Sequence, residues 1–205
     1  MKTEGTRFTE TPAFESALAW YFVLMWGSGF VATKAGLQYA APFTFLALRF
    51  VFGVVCMIPV LLIMKPEWPR TRAKWGHVIV AGVLMHAVHL SGSHYGQYLG
   101  MSAGVVALLL ALQPIITAVI AARWMNEPLL PRQWAGVVLG LLGVALVVWH
   151  KIDIQAVSAG SLTAVSVALA AITAATLYQR RFCADVDLNA AGFVQFIAAA
   201  VVLAP

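Results

Sequence analysis

AGVVALLLALQPIITAVIAARWMNEPLLPRQWAGVVLGLLGVALVVW, residues 103–149, decides the fold. Its two apolar runs, Ala103–Ala122 and Gln133–Trp149, hold no ionisable side chain, while the connector between them carries Arg123, Glu127 and Arg132. As an α-helix, a run of about 17–20 such residues is long enough to cross a hydrocarbon core roughly 30 Å thick. No water reaches backbone N–H and C=O groups at that depth, so each run must satisfy them within its own helix. The stretch is a transmembrane hairpin.

The rest of the chain agrees. Of 205 residues, 61% are hydrophobic and only 10% charged, with a mean hydropathy of +0.86, against roughly 45–50% apolar and about 25% charged in soluble domains. An all-α, multi-span helical bundle with the lipid bilayer as its surroundings is the fold class. The net charge of +5 does not indicate a nucleic-acid partner, because the Lys and Arg residues sit in short connectors between apolar runs and serve orientation. Cys56 lies within an apolar run and Cys183 just after another; such different depths argue against a disulfide. The run Ala17–Thr33 is followed by Lys34 without a small-residue cleavage pattern, which reads as a retained first helix.

Apolar windows place seven spans at Ala17–Thr33, Phe43–Met64, Gly76–Tyr98, Ala103–Ala122, Gln133–Trp149, Ser161–Tyr178 and Ala190–Pro205. Short connectors make neighbouring helices antiparallel, and Trp68, Trp75, Trp124, Trp134 and Trp149 fall at span ends, the depth that aromatic rings prefer. With the N-terminus in the cytoplasm, ten Lys and Arg residues lie inside against Lys34 and Lys151 outside. The positive-inside rule favours that orientation in the cell (inner) membrane.

Sliding the chain against itself by 146 positions lays Phe50 on Phe196, Pro59 on Pro205, Lys34 on Arg180 and Arg49 on Gln195. Five helices per unit is an odd number, so a second unit enters the membrane from the opposite side. The expected organisation is a cytoplasmic tail (1–16), a five-helix repeat (17–149), a linker (150–160) and the first two helices of an inverted second repeat (161–205). Two full units of 146 outrun 205 residues, so a C-terminally truncated sequence is expected.

WGSGFVATK (26–34), SAGVVALLLALQPIITAVIAARWMNEPLLPRQWAGVVLGLLGVALVV (102–148) and TLYQRRF (176–182) resemble the EamA-type permeases of the drug/metabolite transporter superfamily. The resemblance covers nearly all of Ala17–Pro205, and its most specific parts are Gln113-Pro114, Asn126-Glu127-Pro128 and the glycine-spaced fifth helix. It implies an inner-membrane transporter of ten helices in two inverted repeats, exporting amino acids or other small metabolites. Three helices of the second repeat are missing from that pattern, which leaves a homodimer or a separate C-terminal half as the expected partner.

Four histidines, His77, His86, His89 and His94, crowd the third span. His86 and His89 share a broad face with Ser93 and His94, and ionisable groups at membrane depth usually face a bundle interior or a wet cavity. His86 and His89 are therefore expected to line a substrate pathway; a neutral histidine bonded to a neighbouring helix is the competing reading. Neither a metal nor a cofactor is expected, since no Asp, Glu or Cys stands in that span. Arg49, the one cation well inside a span, attracts a substrate carboxylate or snorkels to the interface. Trp26 and Ser28, flanked by Gly27 and Gly29, are placed on the pathway, with Trp26 as a cavity wall; packing explains the glycines equally well. Gln113 precedes Pro114, whose missing N–H frees the Leu110 carbonyl and kinks the helix, so its amide either meets substrate or satisfies the kink. Gly136, Gly140 and Gly143 are assigned to packing or a dimer contact, as are Gly92, Gly96 and Gly100. Glu127 with Pro128 reads as a turn, Arg180 and Arg181 as anchors, and Tyr178 with Gln179 as lining of an inner mouth. Beside the transporter stand two alternatives, an intramembrane histidine-dependent enzyme and an inert truncated product or helper subunit.

Overall fold

The computed structural model describes residues 12–124, 130–151 and 157–204. The turn expected at Glu127-Pro128 lies outside them. Seven helical segments follow one another: α1 (Pro12–Gly36), α2 (Pro42–Met64), α3 (Arg72–Tyr98), α4 (Ala103–Trp124), α5 (Pro131–Lys151), α6 (Ala159–Phe182) and α7 (Leu188–Leu203). Among the described residues, five helices are long and apolar enough to cross a membrane: Ser16–Gly36 of α1, then α2, α3, α4 and α6. At 16 residues α7 is shorter, about 24 Å at 1.5 Å per residue. The chain is an all-helical, multi-span membrane protein.

Capping chemistry sets several helix starts. Thr71, Ser102, Ser158 and Asp187 each accept a hydrogen bond from a backbone N–H in the first turn that follows, satisfying donors that a helix cannot pair internally. The end of α3 turns through Gly100 at φ +103. There Gly100 N–H donates to Gln97 O and Met101 N–H to Gly96 O, a Schellman closure that needs the left-handed region glycine enters freely.

Two helices depart from regularity. Within the expected span Gly76–Tyr98, the six residues Val83–Val88 of α3 form a π-helical turn, with His89 N–H reaching back to Leu84 O. In α4 the ladder breaks at Ala111–Leu112, between Ala103–Leu110 and Gln113–Trp124. Leu112 N–H bonds Leu109 O, and helix resumes with Ile116 N–H on Leu112 O. Pro114, lacking an N–H, falls in the first turn of the resumed helix, where that loss is harmless.

Packing centres on α3. A Cβ at Gly92 would lie 2.5 Å from the Ala164 carbonyl, one at Gly96 2.5 Å from Val165 Cγ2, and one at Gly82 2.6 Å from Gln195 Cα. Small residues thus let α3 lie against both α6 and α7. Of the other proposed packing glycines, Gly140 would meet Ile115 at 3.4 Å, while Gly136, Gly143 and Gly100 have open space where a Cβ would stand. In contrast α1 lies mostly exposed, with Trp20, Tyr21, Phe22 and Leu24 on its surface.

α2 and α7 pack antiparallel along a seam of related contacts. The Phe50 and Phe196 rings, which the 146-residue offset equates, lie 5.7 Å apart. Gly53 abuts Phe196, and with the roles exchanged Phe50 shares a buried cluster with Ala199. Met57 lies against Gly192, and its counterpart pair, Leu46 and Leu203, meets in the same cluster as Phe50.

Candidate functional site

The π turn determines where the α3 histidines point. One residue added to a helix rotates everything after it by about 100°, so His86, within that turn, and His89, just after it, find different neighbours. His86 Nε2 is 3.3 Å from Gln195 Oε1 on α7, and the Gln195 amide N–H donates onward to Gln179 Oε1 on α6 at 3.4 Å. For that direction His86 carries its proton on Nε2. Close approach at Gly82 makes the meeting possible, one turn before His86. Phe50 and Phe196 present ring edges to His86 at 5.6 and 5.0 Å. His89, 4% exposed, donates from Nδ1 to the Ala168 carbonyl of α6 at 3.2 Å, leaving Nε2 as an acceptor. His94 Nε2 lies 3.2 Å from the Thr33 hydroxyl of α1.

His89, His94 and Thr33 flank a cavity of about 90 Å³ between α1, α2 and α3, lined also by Met25, Trp26, Gly29, Phe30, Arg49, Leu90 and Ser93. Trp26, Arg49 and His89 of the expected pathway converge here. Ser28 does not line it; the hydroxyl is exposed and donates to Met25 O at 3.0 Å. His86 stands apart toward α7, and Gln113 toward α6, where its amide N–H groups meet the Thr117 and Thr176 hydroxyls, both at 3.2 Å. That amide ties the broken helix α4 to α6. Just outward, Gln97 is 2% exposed with neither end of its amide hydrogen-bonded. A second, open groove of about 710 Å³ runs between the same halves of α3 and α6 and the end of α7, past Phe43, Ser91, Tyr95, Thr163, Val167 and Leu203.

At the opposite end of the bundle polar side chains pair across helices. Lys74 Nζ, in the first turn of α3, donates to Asp185 Oδ1 at 2.5 Å and to Phe182 O at 3.1 Å, bridging to the α6–α7 connector. The hydrogen bond from Lys74 holds the exposed Asp185 carboxyl below its usual range. His77 Nδ1 contacts the Tyr178 hydroxyl at 2.7 Å and stacks on Phe182 at 4.8 Å. Beneath lie Val78, Ala81, Cys183, Ala191 and Val194, and burial pushes the Cys183 thiol above its ordinary range.

Sequence reasoning missed Thr33, Gln97 and Thr176, and treated Gln195 only as the repeat partner of Arg49. A polar residue in the middle of an otherwise apolar run was the available signal for Gln195. Among the described residues no three His, Cys, Asp or Glu side chains converge as metal ligands.

Residues 14–149 match the model of the EamA-like transporter family. An uncharacterised transporter of Bacillus subtilis, YvbV, is 26% identical over 62% of this chain and 41% of its own length. The probable amino-acid metabolite efflux pumps of Salmonella typhimurium and Escherichia coli are 27% and 26% identical, over 67% and 70% of this chain and 44% and 46% of theirs. The chain therefore spans less than half the length of these curated relatives. No solved structure matches it. With a family match over most of the chain, on helices that build a membrane bundle with polar groups buried along its length, the chain belongs to the EamA-like transporter family.

Proposed function

We propose that this chain forms the substrate-lining part of an exporter of amino acids or other small metabolites in the cell (inner) membrane, with its N-terminus in the cytoplasm. The observation that carries this reading is the line of polar groups through an apolar bundle: Thr33 with His94, then His89, then His86 with Gln195 and Gln179. Apolar side chains would pack these positions at lower cost, since buried polar groups lose hydration. The relatives named as amino-acid metabolite efflux pumps support the substrate class and direction. Lys74 meeting the α6–α7 connector gathers the basic ends of α3 and α6 on one face, in keeping with a cytoplasmic face there.

The exchanged contacts across α2 and α7 support reading α6 and α7 as the opening helices of an inverted second unit. In that relation α1 corresponds to α6. Since α6 packs on α3, the complete transporter requires a counterpart of α3 against α1, supplied by further chain or by a second protein.

Counterflow of a radiolabelled amino acid in proteoliposomes tests the proposal. Losing the charge-assisted or neutral hydrogen bonds of the line should lower flux about tenfold in His86→Ala and His89→Ala, the equivalent of roughly 1.4 kcal/mol. Flux equal to the wild type in both variants would contradict it.

A further inference from the structure

The connector between α2 and α3, KPEWPRTR (65–72), is fixed more firmly than a link between two membrane spans requires. Lys65 closes α2 at φ 46 and ψ 58, its N–H donating to Leu61 O, and among the described residues no other non-glycine stands at positive φ. A Cβ makes that conformation costly, which is why glycine or asparagine usually fills it. Pro66 narrows it further, because the residue before a proline favours extended backbone. The rest of the connector is tied down by aromatic rings. Trp75 Nε1–H donates to Pro69 O at 2.8 Å, and the Trp68 ring stacks on that of Trp75 at 6.0 Å with the planes 3° apart. Phe193 of α7 meets Trp68 in a T-shaped contact at 6.1 Å. The connector is thus fastened to both α3 and α7.

What this frame presents is basic and aromatic. Lys65, Arg70 and Arg72 are exposed, and Trp68 and Trp75 remain 43% and 37% exposed despite their stacking. Glu67 pairs with Arg70 at 2.8 Å and Asp185 with Lys74, which leaves Lys65 and Arg72 to face outward. Lys74 also reaches Phe182 O, so the end of α6, with Arg180 and Arg181, adjoins the same surface. A link between two spans lies at head-group level, where indole rings prefer to sit and where lipid phosphates are the abundant anions. A glycine at position 65 would close α2 without strain; lysine brings a cation to that level instead, and strained backbone persists where a function holds it. We infer that the 65–75 surface is a docking site for the head group of an anionic phospholipid, with Lys65 and Arg72 supplying the charge and the paired indoles the interfacial wall. The inference goes beyond the exporter reading and does not depend on it.

The purified chain is placed in phosphatidylcholine nanodiscs that carry either dibrominated phosphatidylglycerol or dibrominated phosphatidylcholine. The bromine quenching that disappears in Trp68→Phe is the signal of Trp68. Brominated phosphatidylglycerol should quench it as though enriched at least about fivefold over phosphatidylcholine, the preference expected of one basic residue near an anionic lipid. The double substitution Lys65→Gln with Arg72→Gln should abolish the enrichment, and the charge-matched Lys34→Gln with Lys151→Gln should retain it. Equal quenching by the two lipids in the wild type would overturn the inference, as it would if acids elsewhere in the protein neutralised the surface. Equal loss in both double variants would mean that net charge alone attracts the lipid. Inorganic phosphate at constant ionic strength should not compete; loss of the enrichment in its presence would assign the surface to soluble anions. Lys65→Gly adds a measurement of stability. In phosphatidylcholine it should unfold no lower than the wild type, since the left-handed strain is gone, and it should gain less from phosphatidylglycerol than the wild type does. A variant that unfolds lower by the same amount in both lipids would show that Lys65 serves the fold alone, and the inference would fall.

Discussion

The two ends of the bundle treat their polar groups differently. At the end that carries Lys74, polar side chains have partners across helices: Lys74 with Asp185 and the Phe182 carbonyl, His77 with Tyr178. In the half that carries Arg49, the Gln97 amide, the Ser91 hydroxyl and Arg49 itself have none among the described residues, against the Thr173 hydroxyl in the other half of α6, and two cavities open beside the former. Unmade hydrogen bonds cost most where water is scarce. One end is thus committed to itself, while the other keeps polar capacity for something that enters.

The glycines of α3 hold both regions together, so the largest expected effect comes from breaking that scaffold. At Gly82 a Cβ would lie 2.6 Å from the Gln195 backbone, and Gly82→Leu should cost about 1–3 kcal/mol or more, as overpacking does. Gly27→Leu, with nothing within 4 Å of its Cβ position, should leave stability nearly unchanged. Thermal unfolding in mild detergent reads both; equal losses would mean that the close crossing of α3 and α7 does not hold the bundle.

Gln97 sharpens the comparison in the opposite sense. Because its buried amide has no partner, Gln97→Leu should raise stability by about 1 kcal/mol, the lower end of the cost of an unsatisfied polar group, while lowering flux. A variant that is destabilised would show that Gln97 serves the fold and not the path.

At the Lys74 end the effect is a rate. Asp185→Ala removes the acceptor of Lys74 and also a carboxylate that raises the Cys183 thiol, so both consequences should speed maleimide labelling of buried Cys183, several-fold. Acid should break the Lys74–Asp185 contact only late. The Asp185 carboxyl is held below its ordinary range, so the contact is fully present above the unfolded carboxyl's value of about 3.9 and is lost only as pH falls through the lower folded value. The contact, followed by the NMR titration of the Asp185 carboxyl, should hold from neutral pH down to about 4; release near neutrality would show that Asp185 does not hold this end together.

Much of this organisation is legible in the residues. Uncharged runs give the spans, and Ser, Thr and Asp before apolar runs give several of the helix starts. Pro114 marks the break in α4 because its missing N–H acts locally. The π turn at Val83–Val88 is not legible, since VLMHAV reads as ordinary helix and the turn arises from α3 fitting two neighbours at once. Arg49, Trp26 and His89 could be nominated from charge and polarity alone, but that they share one cavity depends on how α1 and α2 meet α3. Ser28 is the reverse case: a hydroxyl between glycines looks available, and it donates back to its own helix, as serines in helices often do.

In an exporter built as proposed, the polar line on α3 faces a path open from the Arg49 half. With Cys56 and Cys183 replaced by Ser, Ser93→Cys and Val165→Cys can be compared, since Ser93 lines the cavity and Val165 lies in the apolar cluster beside α3. A membrane-impermeant maleimide added on the side of Lys34 should label Ser93→Cys at least about tenfold faster than Val165→Cys, because thiol reactivity follows access to water. If the two cysteines are equally inert from that side, the path does not exist as described.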